Sequence, residues 1–116
     1  MASTFKAPEP APAPVVQAGS VEEIVRQAAR KYGLNEDHFV SIAMCESTMN
    51  PNAQNRSYSE NGRDYPSGLF QHLTNYWPAR AAKYGYAGAS VFDATANANV
   101  TAAMWAEGQS RLWECR

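Results

Sequence analysis

The sequence predicts a small α+β domain, predominantly α, with a β-hairpin lobe beside its helices. Three observations predict it. Several stretches carry apolar residues at spacings of three and four between capping residues, the period of a helix face. One polar stretch, residues 52–67, carries a tight-turn signal between tyrosines instead. The alternating Ala/Pro start leaves about 95 of the 116 residues to fold, enough for one modest core and no second domain.

In chain order, Ala7-Pro8-Glu9-Pro10-Ala11-Pro12-Ala13-Pro14 favours extended polyproline geometry. Residues 1–19 therefore read as a Pro/Ala-rich linker or an appended tail, and 20–116 as the folded domain. Ser20 with Glu23 matches a capping box, and Val21, Ile24, Val25, Ala28 and Ala29 form an apolar stripe. This helix should run to about Tyr32 and stop at Gly33. Asn35 can cap the next helix, with Glu36 and Asp37 in its first turn, and Asn50-Pro51 cannot prolong it.

Further on, Glu60-Asn61-Gly62-Arg63 between Tyr58 and Tyr65 predicts the hairpin. Thr74 or Asn75 can cap a third helix with Pro78 in its first turn, ended by Gly85. Asp93 or Thr95 should start the longest helix, with Asn97, Val100, Ala103 and Met104 at helical spacing and Gly108 as its stop. Phe39, Phe92 and Trp105 are expected in the core. Among aromatics that could stack on a sugar ring, Tyr58 and Tyr65 stand out because they lie in the polar lobe.

Glu46 is the residue with chemistry in it. Phe39, Ile42, Ala43 and Glu46 share one helix face, so the carboxyl travels with side chains that seek the core. Poor solvation and the negative end of the helix dipole both disfavour its charged form, so its pKa should rise. A carboxyl that keeps its proton near neutrality can act as a general acid. The plainer alternative is a carboxylate that caps backbone or pairs with an arginine.

Glu46-Ser47-Thr48-Met49-Asn50-Pro51, then Gly68-Leu69-Phe70-Gln71, then Phe92-Asp93-Ala94-Thr95-Ala96-Asn97-Ala98-Asn99-Val100 resemble, in order, three sequence blocks of the lytic transglycosylase domain of the lysozyme superfamily. The Cys-Glu-Ser run and the Trp-x-Cys tail also resemble the resuscitation-promoting factors of actinobacteria, a related group. The resemblance covers about Val21 to Trp105. It implies a lysozyme-like domain with a glycan-binding cleft, and cleavage of the bond between N-acetylmuramic acid and N-acetylglucosamine in peptidoglycan. Glu46 would be the single catalytic acid and the product an anhydro-muramoyl end. Ser47, Asn55, Tyr58, Tyr65, Gln71 and Asn97 would form the substrate-binding set, Asn97 as a buried amide that could brace the cleft or else as a plain helix-surface asparagine, and no cofactor or metal is implied.

The chain departs from the family's pattern in three places. The interval from Glu46 to Gln71 is longer than usual, Asn55 stands where many members carry a serine, and the Ala-Tyr-Asn-Ala-Gly motif has no match. Gly108-Gln109-Ser110-Arg111-Leu112-Trp113-Glu114-Cys115 stands in its place. Two other readings therefore accompany the first. One is a hydrolytic lysozyme in which Asp64 or Glu60 activates water opposite Glu46. The other is a glycan-binding or structural module without turnover.

Composition narrows the partners. A net charge of −1 recommends neither nucleic acid nor an anionic membrane. No apolar run approaches the roughly 20 residues of a membrane span. Glycan strands are the expected partner and a monomer the expected state. Cys45 and Cys115, the two cysteines, can form a bond tying the tail to the helix of Glu46, or remain as two buried thiols. The bond is the expectation, since closing so long a loop could add ~4 kcal/mol. His38 and His72 are isolated from each other and from the cysteines, a poor zinc set. A secreted or cell-wall-associated protein is expected, its leader removed, or else a phage product.

Overall fold

The computed structural model describes residues 18–116, with side chains from residue 20. The linker expected at residues 1–19 lies almost wholly outside the described residues. Helix α1 spans Ala18–Lys31 and α2 spans Glu36–Ser47. Strands β1, Pro66–Ser67, and β2, His72–Leu73, pair antiparallel. Helix α3, Trp77–Lys83, and helix α4, Ala94–Ala106, follow, and one turn of 3₁₀ helix, Ser110–Leu112, leads into the tail. The fold is thus α+β and mostly helical. No helix among the described residues is long and apolar enough to cross a membrane.

Helix α4 is the post around which the others stand. Its residues from Ala96 to Met104 are all buried, the mark of a helix enclosed on every side. Its alanines let neighbours come close, and α1 packs on α4 and α2 while α3 packs on α4. One apolar cluster joins α1, α2 and α4 through Val25, Phe39, Ile42, Phe70 and Ala98, with Phe39 stacked on Phe70 at 4.4 Å. A second joins α3, α4 and the tail through Trp77, Val91, Val100 and Trp113.

The helix ends show where local signals held. Asn35 caps α2 by accepting from the His38 N–H at 2.8 Å, and Asp93 caps α4 by accepting from the Ala96 N–H at 2.9 Å. Other expectations need correction. Helix α1 begins at Ala18, so Ser20 is inside it, and Glu23 is drawn outward to Gln27 and Arg30 instead of closing a capping box. At 14 residues α1 is longer than α4, with 13. Helix α3 has no side-chain cap, because the Thr74 hydroxyl donates to Asp64 instead. Phe92 is 37% exposed and not core.

The hairpin is the largest displacement. Residues 58–65 form a loop knotted by side chains, in which the Ser59 hydroxyl accepts from the Gly62 N–H and donates to the Asp64 carbonyl oxygen. The hairpin is closed by Gly68-Leu69-Phe70-Gln71, between β1 and β2. Gly68 is obligatory there. Its φ is +84°, and a Cβ would collide with the Val91 carbonyl oxygen and the Asn97 amide.

Candidate active site

A cleft of about 1020 Å³ runs between the end of α2, the hairpin, the start of α3 and the tail. Glu46 lies in its wall on the last turn of α2. The chain leaves that helix through two consecutive left-handed residues, Thr48 at φ 54° and Met49 at φ 65°. Each costs on the order of 1 kcal/mol for a non-glycine residue, and Met49 offsets part of this by packing on the main core. Ser47 holds the turn, its hydroxyl donating to the Ala43 carbonyl oxygen and accepting from the Asn50 N–H, both at 3.2 Å.

Glu46 has no ion-pair partner among the described residues. Its one hydrogen bond comes from the Cys115 N–H to Oε2 at 3.3 Å. Burial raises its pKa above the ordinary glutamate value; the Cys115 N–H opposes this, and the negative charge of Glu114 adds to it. The Cys45–Cys115 disulfide, with Cα atoms 6.1 Å apart, fastens that tail against α2. Where the lysozyme-like pattern would place a tyrosine motif, this chain brings Trp113-Glu114-Cys115 to the acid.

The other expected site residues divide. Ser47, Asn55, Tyr58, Gln71 and Glu60 line the same cleft as Glu46. Gln71, held at φ 60°, donates through Nε2 to the Gly68 and Ala53 carbonyl oxygens at 2.8 and 3.3 Å. Its own side-chain oxygen has no partner among the described residues and remains able to accept. Tyr58 is 49% exposed, and its hydroxyl reaches Glu60 at 3.3 Å.

Asn97, Tyr65 and Asp64 do not line the cleft. Asn97 is fully buried, accepting from the Phe70 N–H at 2.8 Å and donating to the Val91 carbonyl oxygen at 2.9 Å. It braces the hairpin from below, too deep to meet a ligand. The ring of Tyr65 is covered by the Arg56 guanidinium at 4.6 Å. Asp64 accepts from Thr74 at 2.6 Å and Asn61 at 2.8 Å, and these two bonds hold its carboxyl below the ordinary aspartate value. Glu60 takes hydrogen bonds from the hydroxyls of Tyr58 and Tyr76.

Sequence reasoning passed over Arg80, Trp113 and Glu114, which also line the cleft. Glu114 was within reach of it, as the neighbour of a cysteine paired beside Glu46. Arg80 had no signal, since its place depends on how α3 sits against β2. Trp113 closes the floor, donating through Nε1 to the Phe70 carbonyl oxygen at 2.7 Å.

No curated protein and no solved structure matches the chain. The family described as the Transglycosylase SLT domain matches residues 23–113, from within α1 to the cleft floor at Trp113. With most of its length so matched, the chain belongs to the SLT transglycosylase family, whose activity is directed at peptidoglycan.

Proposed function

We propose that this chain is a secreted lytic transglycosylase that cuts the bond between N-acetylmuramic acid and N-acetylglucosamine with Glu46 alone. The observation that carries the reading is Glu46 itself, a partly buried carboxyl in a cleft wall with one weak backbone donor and no ion-pair partner among the described residues. A raised pKa favours the protonated form, which can give its proton to the bridging oxygen as that bond breaks. The carboxylate left behind then takes the proton from the muramic acid's own primary hydroxyl, whose oxygen closes onto the anomeric carbon. One carboxyl serves both steps, and the products are an anhydro-muramoyl end and a free N-acetylglucosamine end.

The attacking hydroxyl is already part of the substrate, so the enzyme need not activate a water. Asp64 is tied to Thr74 and Asn61, and Glu60 to two tyrosines, which weakens the case for either as a base. Gln71 and the exposed face of Tyr58 are proposed to hold the sugars. The disulfide suits an oxidising compartment outside the cytoplasm. Mass spectrometry of digested peptidoglycan tests the reading. Anhydro-muramoyl ends are expected; reducing muramic ends would select the hydrolytic reading, and no cleavage a binding module.

A further inference from the structure

Arg80, on α3, is the one cation among the described residues that lines the cleft. It is partly buried, and no carboxylate among the described residues pairs with it. The nearest arrangement that could have supplied one is closed off. Tyr76 lies under the guanidinium at 5.2 Å and gives its hydroxyl to Glu60 at 3.2 Å, so Glu60 is occupied by tyrosines. Burial holds the Arg80 pKa below the ordinary arginine value, yet a guanidinium stays charged at any physiological pH.

What lies behind Arg80 explains how it is aimed. Its Nη1 is 2.9 Å from Nδ1 of His72, which is fully buried. Arginine can only donate, so Nδ1 must accept, and His72 is neutral with its proton on Nε2. That proton goes to Thr101 Oγ1 at 2.7 Å, and the Thr101 hydroxyl goes to the Asn97 carbonyl oxygen at 2.7 Å. Burial and the Arg80 charge both push the His72 pKa down, to about 3. The chain from α4 thus fixes one nitrogen of the guanidinium and leaves Nε and Nη2 without acceptors among the described residues. A partly desolvated, pre-oriented cation with open donors is the usual receptor for a carboxylate.

We propose that Arg80 forms a carboxylate subsite of the cleft, engaging an acidic group on the muramic acid arm of the substrate. The inference rests on the peptidoglycan reading above. Every second sugar of that polymer carries a lactyl group, ionised when bare and amide-linked to an acidic peptide when substituted. Either source offers the same two oxygens to Nε and Nη2. The subsite would set which sugar lies over Arg80, and so the register of the strand against Glu46. Glu60 and Glu114, the cleft's carboxyl groups besides Glu46, would repel a carboxylate placed near them.

The test is calorimetric binding to the full chain carrying Glu46→Gln, which removes turnover from the measurement. The probes are a neutral N-acetylglucosamine oligomer, a peptide-free muramoyl glycan, the same glycan with acidic peptides, and both muramoyl glycans with their carboxylates converted to carboxamides. With Arg80 present, a carboxylate form should bind about tenfold tighter than its carboxamide, the scale of one charge-assisted pair. An advantage on the peptide-free glycan names the lactyl group; one seen only with peptides names the peptide. Arg80→Gln should abolish the difference, and Arg80→Lys should keep part of it. Equal binding of carboxylate and carboxamide forms overturns the subsite even if Arg80→Gln fails to fold, as does a difference that survives Arg80→Gln. Binding of the neutral oligomer without that difference sinks the subsite alone, whereas binding of no glycan sinks the peptidoglycan reading with it.

Discussion

The end of α2 and the loop at 58–65 both carry carboxyl groups beside the hairpin, and the protein treats them in opposite ways. Glu46 is left with one backbone N–H and partial burial, and that burial raises its pKa. Asp64 is given a threonine hydroxyl and an asparagine amide, so its proton is lost early. The difference teaches how a single domain drives two carboxyl pKa values apart: by withholding partners at one carboxyl while satisfying the other. The loop's side-chain bonds also stand in for the ladder that a true hairpin would have made there.

The comparison is broken most directly at Glu46. Glu46→Gln should lower release of soluble muropeptides by ~10²–10⁴, the usual contribution of a positioned general acid. It should also raise the melting temperature at neutral pH. The folded pKa of Glu46 lies above its unfolded value, so folding costs free energy only once pH exceeds the unfolded pKa, and glutamine escapes that cost. Below the unfolded pKa the two proteins should melt alike. Turnover near wild type in this variant would mean that another group is the acid.

The next largest effect concerns the tail that faces Glu46. Reduction of Cys45–Cys115, or Cys45→Ala with Cys115→Ala, should cost up to ~4 kcal/mol on the chain-entropy account of a loop of this length. Activity should fall as well, because the Cys115 N–H and Trp113 are held in the cleft by that bond. Melting and zymography in parallel, with and without reductant, read both. A protein whose melting is indifferent to reductant would show that the tail is held by Trp113 alone.

At the loop, Asp64→Asn should change turnover by less than about tenfold, ~1.4 kcal/mol in the barrier, while lowering stability. The stabilising ionisation of Asp64 is present above its unfolded pKa and lost as pH falls through its lower folded value. The deficit of the variant should therefore shrink in acid. Collapse of activity in Asp64→Asn, with circular dichroism unchanged, would make Asp64 a catalytic base and overturn the single-acid mechanism.

How much of this was legible depended on the range of the interaction involved. Helix α2 was readable because Asn35 caps it through a residue three positions away and because Phe39, Ile42 and Ala43 declare one face. The hairpin was misplaced because Asn61-Gly62 is a strong local turn signal, yet residues 58–65 make side-chain bonds among themselves and leave no strand to pair. The turn at Gly68 is imposed by Asn97, 29 positions on, a partner that no local pattern announces. A family motif marks Asn97 without saying whether it touches substrate or supports what does, and its bonds to the Phe70 N–H and the Val91 carbonyl oxygen are those of a brace. Arg80, aimed by His72 and Thr101, is legible only once three elements are in place.

The smallest expected effect is the sharpest test of why the Glu46 pKa is raised. Burial is the first cause of its raised pKa, and the charge of Glu114 is a lesser one. Activity needs protonated Glu46 in the resting enzyme, so the rate should fall as pH rises through that pKa. Glu114→Gln removes a nearby negative charge and should move this alkaline limb to lower pH, with the plateau rate little changed. Glu114 is exposed, so salt should screen its influence, and at ~1 M, where the Debye length is about 3 Å, wild type and variant should share one profile. A limb that does not move at low salt would leave burial as the whole cause. A limb that moves up would mean that Glu114 acts on Glu46 by a contact other than charge repulsion.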